Sequence, residues 1–253
     1  MDVRIYLTGQ VALEAGSELA IDERRFRGRQ GRLAFAYLIC QRARPVPREE
    51  LAEVLWPTAR PPAWEVALSA LVSRLRGLLA CPPLGPEGAS ISRGFRYYQI
   101  HLPPETWVDL EAAASAVDEA EGALRAGDAR RAWGPANVAA TIAKRPFLSG
   151  DEGEWVESQR RRLQRQLLRA LECLSKIWLS TGEPGLAVEG ATEAVALDCF
   201  RESSHQLLMR AHAAAGNRAE AVRVYQGLRS LLAEELGTDP SGETEALYLE
   251  LLG

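Results

Sequence analysis

The sequence predicts an α+β N-terminal segment followed by an all-α segment of stacked helix pairs. Three observations predict this. Short alternating runs with Gly-containing turns are interleaved with helical periods in the first part. Pro103-Pro104 then marks a boundary, after which the chain is rich in Ala, Leu, Glu and Arg and reads as helix throughout. That second part also repeats itself at a fixed spacing. The expected segments are residues 1–102 and 103–253.

Val3 to Leu7 alternates and reads as a strand; Val11-Ala12-Leu13 and Leu19-Ala20-Ile21 extend it into a small antiparallel sheet. Residues 29–43 read as a helix with Leu33, Ala36, Tyr37 and Cys40 on one face, broken by Pro45-Val46-Pro47. Residues 47–55 read as a short helix: Pro47 suits its first turn, and Glu49 and Glu50 suit its N-terminal dipole. After Trp56-Pro57 and a loop over Thr58 to Pro62, a third helix is expected from Ala63 to Ala80.

This third helix is the most informative stretch. Leu68, Leu71, Val72, Leu75, Leu78 and Leu79 make one apolar stripe. Its far side is small or cationic: Ser69, Ala70, Ser73, Arg74 and Arg76. Small side chains allow close approach to a partner surface. Arginine forks match phosphates or the O6/N7 edge of guanine. The plain alternative is an amphipathic helix with a solvated face, and only its surroundings tell against that. A Pro- and Gly-rich loop over Cys81 to Gly88 leads to Ser90–His101, a β-hairpin with Arg93 and Arg96 at or near its tip. Helix, helix, basic helix, hairpin is the order of a winged helix-turn-helix, in which the third helix enters the major groove.

In the second part, Gly182 and Gly216, Ala187 and Ala221, Ala191 and Tyr225, and Trp178 and His212 are each 34 residues apart. Glycine in the interhelix turn and alanine at the close crossing make this a tetratricopeptide-like pattern, a scaffold that binds partners. Gly127, Ala132 and Ala136 repeat the same internal offsets upstream, and Lys144 to Gly153 reads as an inserted loop.

The charge is unevenly divided. Residues 1–102 carry 14 Arg against 10 Asp and Glu, whereas residues 103–253 carry 16 Lys and Arg against 24 Asp and Glu. Only the first part has the sign for nucleic acid, and modestly. The four cysteines lack ligand spacing and are expected as free thiols; His205 and His212 are expected in the core or lining a groove. No cofactor or metal is expected. A signal peptide pattern and an apolar run of spanning length are lacking, so a cytoplasmic protein away from the membrane is expected. P-loop, dinucleotide fingerprint and nucleophile elbow are also lacking, which speaks against an enzyme.

Taken together, the chain resembles the SARP-type (antibiotic regulatory) transcriptional activators. The marks are Gly28-Arg29-Gln30-Gly31-Arg32, Leu51 to Trp56, Leu71-Val72-Ser73-Arg74-Leu75-Arg76, and the repeat ending in Glu235-Leu236-Gly237-Thr238-Asp239-Pro240. The resemblance implies an OmpR-type winged helix joined to a bacterial transcriptional activation domain. It implies that Arg74 and Arg76 contact DNA in the groove and that the wing residues Arg93 and Arg96 contact the backbone. Ser69 and Ser73 share the same helix face. It further implies tandem direct repeats in promoter DNA, side-by-side protomers and engagement of RNA polymerase. The chain departs from the family at Gly77, where Lys is frequent, which costs about 1 kcal/mol of helix propensity relative to Ala. Ser69-Ala70 replaces longer polar side chains. Arg160-Arg161-Arg162 with Arg165 and Arg169 is expected to be a solvated face, and Trp107, Trp133, Trp155 and Trp178 are expected in the core. The competing reading is a tetratricopeptide adaptor whose winged helix contacts protein and not DNA.

Overall fold

The computed structural model describes residues 2–26, 28–82, 84 and 88–253, and of Arg93 the backbone alone. Part of the loop expected over Cys81 to Gly88, and the Arg93 side chain, therefore lie outside the described residues. The chain forms two compact units, Met1–Ala112 with Arg145–Leu163, and Ala113–Lys144 with Gln164–Gly253. The Pro103-Pro104 boundary lies inside the first of them.

The first unit opens with strands β1 (Val3–Tyr6), β2 (Ala12–Ala15) and β3 (Glu18–Ile21), antiparallel neighbours as the alternation predicts. A fourth strand, β7 (Trp107–Val108), lies parallel to β1 on its other edge, with Ile5 opposite Val108. Residues after Pro104 were expected to be helix only; β7 corrects that. Two residues are too short for a periodicity signal, and only the pairing with β1 defines them. Asp109 locks the junction. Its buried carboxylate accepts from the backbone N–H groups of Leu7 (2.9 Å) and Thr8 (2.8 Å) and from the Thr8 hydroxyl (2.8 Å). Burial raises its pKa; these bonds pull the other way.

Helices α1 (Arg29–Cys40), α2 (Arg48–Leu55) and α3 (Trp64–Leu79) follow. Leu33 to Ile39 are buried without a break, so α1 is covered on every side. Pro47 is the N-cap residue of α2 and also belongs to a two-residue strand, β4 (Val46–Pro47). That strand pairs with β6 (Tyr97–His101), which pairs with β5 (Ser90–Arg93), giving a three-stranded sheet.

The segment expected to be a plain inserted loop completes this unit. Thr8 and Phe147 form an antiparallel bridge, and the Gly9 N–H donates to the Pro146 carbonyl at 2.7 Å. Arg29 (2.7 Å) and Arg32 both bind the buried carboxylate of Asp151. Trp155 stands edge-on to Tyr37 and Phe147, at 4.9 and 5.7 Å between ring centres. Arg160 is not a solvated cation: it donates to the carbonyls of Phe147, Leu148 and Asp151. Arg161, Arg162 and Arg165 are exposed, as expected of that run.

The second unit draws on helices α4 (Asp109–Arg125), α5 (Ala129–Ala143), α6 (Glu154–Thr181), α7 (Pro184–Leu197), α8 (Glu202–Ala214), α9 (Arg218–Leu236) and α10 (Gly242–Leu252). The glycines of the repeat, two of them 34 residues apart and Gly127 55 residues upstream, form matching turns. Gly127, Gly182 and Gly216 have φ of 77°, 79° and 78°, the left-handed region that side chains with a Cβ resist. In each turn the next residue donates back to the carbonyl five positions earlier. These bonds are Asp128 to Ala123 (2.9 Å), Glu183 to Trp178 (2.8 Å) and Asn217 to His212 (2.8 Å). The repeated Trp178 and His212 are thus equivalent acceptors. Ala132, Ala187 and Ala221 are wholly buried, as close helix crossings require. Trp133 departs from its expected core position, at 54% exposure on α5. His205 is buried, with Nε2 at 2.9 Å from the Cys199 carbonyl, and all four cysteines are free.

Candidate nucleic-acid interface

Helix α3 buries Leu68, Leu71, Val72, Leu75 and Leu79, so its stripe seats it against the unit's core. The opposite face presents Ala70, Ser73, Arg74 and Gly77 to solvent. Among the described residues Arg74 has no carboxylate partner. It borders a groove of about 670 Å³ whose other walls include Arg25, Arg29 and Leu78. Arg25 is tethered there by a 2.5 Å bond to the Ala20 carbonyl.

The other expected contacts are placed differently. Arg76 is half-buried and donates through Nε to the Ile91 carbonyl at 2.8 Å, so it ties β5 to α3. Ser69 is half-buried and accepts from Arg48 at 3.2 Å. Arg96 lies on the hairpin and pairs with Glu49 at the start of α2. That guanidinium holds the Glu49 carboxyl below the usual carboxylate range. The structure therefore brings Ser73 and Arg74 together on one open face and gives Ser69, Arg76 and Arg96 bonds within the chain.

Two residues at this site were not singled out from the sequence. Arg48 organises the junction of α2, α3 and the hairpin. Its N–H donates to the Arg96 carbonyl (3.0 Å), its guanidinium donates to the Glu65 carbonyl (3.3 Å), and it lies over the Tyr98 ring. Position 48 reads only as the start of a helix, so nothing local marks it. Phe95 stands at the hairpin tip with 94% of its surface exposed. An aromatic between Gly94 and Arg96 was visible in the sequence, but its exposure needed the turn. Among the described residues no cluster of three or more His, Cys, Asp or Glu could hold a metal ion. No described helix is long and apolar enough to cross a membrane.

Comparison with known proteins agrees with the repeat unit and the order of elements. The family model for the bacterial transcriptional activator domain matches residues 108–252, from β7 to the end of α10. Regulatory protein AfsR of Streptomyces coelicolor is 31% identical over 88% of this chain, and AfsR of Streptomyces griseus is 30% identical over 99% of it. The chain spans only 22% and 24% of the length of these two relatives. The structure of Mycobacterium tuberculosis EmbR in complex with a low affinity phosphopeptide superposes with a TM-score of 0.84. That match covers 99% of this chain and 65% of the other, at 20% identity, and shows a shared fold. The matched domain takes in more than half the chain, and the relatives that extend the match over the N-terminal unit are regulatory proteins: the chain belongs to the bacterial transcriptional activator domain family.

Proposed function

We propose that the N-terminal unit is a winged helix-turn-helix of the OmpR type and that the chain is a sequence-specific DNA-binding activator acting on direct repeats upstream of a promoter. The observation that carries this reading is the open face of α3, where Arg74 stands beside Ser73, Ala70 and Gly77 with no side chain long enough to hold a duplex away. Arg74 is the base or phosphate contact. Ser73 lies next to it. Arg76 acts by fixing the hairpin wing to the recognition helix, and Arg96 reaches the backbone by exchanging its exposed pair with Glu49, which is worth little in water. The wing residue Arg93 is assigned the same backbone role. The repeat unit, with its acidic balance, contacts RNA polymerase and a neighbouring protomer on DNA.

A second reading has one observation in its favour. Arg48, Arg60, Arg76 and Arg96 all have partners within the chain, which leaves few free cations on this surface among the described residues. In that reading the unit binds protein and the chain is an adaptor. Selection of duplexes from a randomised pool, followed by anisotropy titration at graded salt, separates the two. A DNA-binding protein shows a steep negative slope of log K against log salt. Arg74→Ala then weakens the selected site by about 1–3 kcal/mol. No selection and no salt slope would leave the adaptor reading standing.

A further inference from the structure

We infer that Phe95 is an apolar wedge that enters the minor groove of duplex DNA beside the site read by α3 and opens a base step there. This rests on the DNA-binding reading above and adds to it a residue, a groove and a deformation.

Phe95 is the most exposed large apolar side chain among the described residues, at 94%. Turn tips ordinarily carry Gly, Asn, Asp or Ser, so a bare aromatic there gains nothing from folding. It is also held in place. The Gly94 N–H donates to the Tyr97 carbonyl at 3.1 Å, closing the turn. The Tyr97 ring lies so close over Gly94 that a Cβ at that position would sit 2.0 Å from it. On one side the Arg96 carbonyl is bound by the Arg48 N–H of α2; on the other the Ile91 carbonyl is bound by Arg76 of α3. The ring is thus presented at a set offset from the α3 face that carries Arg74. Rigid presentation removes much of the ordering cost of inserting a side chain.

The chemistry selects the occupant. A flat apolar ring finds a stacking partner between base pairs, and minor-groove proteins open steps with such wedges. Arg96, next in the chain, supplies a cation once it exchanges its exposed pair with Glu49, and a narrow minor groove has an enhanced negative potential that attracts it. Pyrimidine–purine steps unstack most easily, so the wedge adds a preference for TA or CA/TG at a position that no hydrogen bond reads.

The test uses the full chain and a duplex selected by it from a randomised pool. 2-Aminopurine is placed at successive steps flanking the α3 site, and donor and acceptor dyes at the duplex ends report bending. Wild type is expected to raise 2-aminopurine fluorescence at one step and shorten the end-to-end distance. Phe95→Ala, which removes only exposed atoms, is expected to abolish both signals and weaken binding about tenfold, the low end for loss of one aromatic–base stack. Phe95→Leu is expected to keep most of the bend. Arg74→Ala is expected to weaken binding while retaining the fluorescence rise at saturation. If Phe95→Ala binds with wild-type affinity and bend, the wedge is overturned and the DNA-binding reading stands. If it loses only the second copy on tandem sites, with single-site affinity and fluorescence unchanged, Phe95 is a protomer contact and the wedge is overturned. If wild type selects no duplex, both fail together.

Discussion

Cutting the chain after Leu102, where Pro103-Pro104 suggests a boundary, removes the far edge of the first unit. The residues lost include Val108 and Phe147, both 2% exposed, together with the half-buried Trp155 against Tyr37. Full burial of such side chains contributes about 1.5–3 kcal/mol each. Asp109 goes too, freeing the Leu7 and Thr8 N–H groups, as does Asp151, leaving Arg29 and Arg32 without their buried partner. Removing one partner of a buried ion pair costs about 3–5 kcal/mol, less here because Arg29 is half exposed and the cut lets water in. Roughly 7 kcal/mol or more is at stake against a whole-domain stability of about 5–15 kcal/mol. The fragment 1–102 is therefore expected to lose its cooperative urea transition and its near-ultraviolet dichroism. Trp155→Ala and Asp109→Asn in the full chain are expected to lower the midpoint of the first unit without abolishing the fold. A fragment 1–102 that unfolds cooperatively at the wild-type midpoint would refute this account of what completes the unit.

Other outcomes follow from single sites. Gly216→Ala forces a Cβ into a left-handed turn and is expected to destabilise the repeat unit by about 1 kcal/mol, read as a lower thermal midpoint. Burial lowers the pKa of His205, so its neutral form is favoured in the fold. The stability it supports is complete above its unfolded value, about 6.5, and is lost as pH falls through the lower folded value. Thermal melts from pH 7.5 to 5.5 should show that loss, and His205→Gln should flatten it. Glu172 is desolvated, yet Arg201, Ser203 and Ser204 lower its pKa, so a second loss is expected below the ordinary carboxylate range. Burial pushes the Cys40 thiol up to about 12 and the buried Cys173 thiol up to about 11, so timed alkylation followed by mass spectrometry should label the exposed Cys199 before either of them.

Much of the architecture was legible in the sequence because its signals are local and periodic. The stripe from Leu68 to Leu79 defines α3 and its buried face. The 34-residue recurrence of Gly182 and Gly216 foretells turns that match to within a few degrees. Arg74 on an open helix face was legible for the same reason, since helical spacing alone assigns each residue to a side. Whether a side chain on that face is free is another matter. Arg76 and Ser69 share the face in the sequence, but Ile91 and Arg48 reach them from elements distant along the chain. The Lys144–Gly153 loop carries no periodicity, and only folding brings Phe147 beside Thr8 and Asp151 beside Arg32. β7 is two residues long and exists because β1 offers it an edge. Short-range order follows from spacing, which a chain states by itself; long-range pairing depends on which buried donors and apolar faces remain unsatisfied, and that is settled only when the whole unit closes.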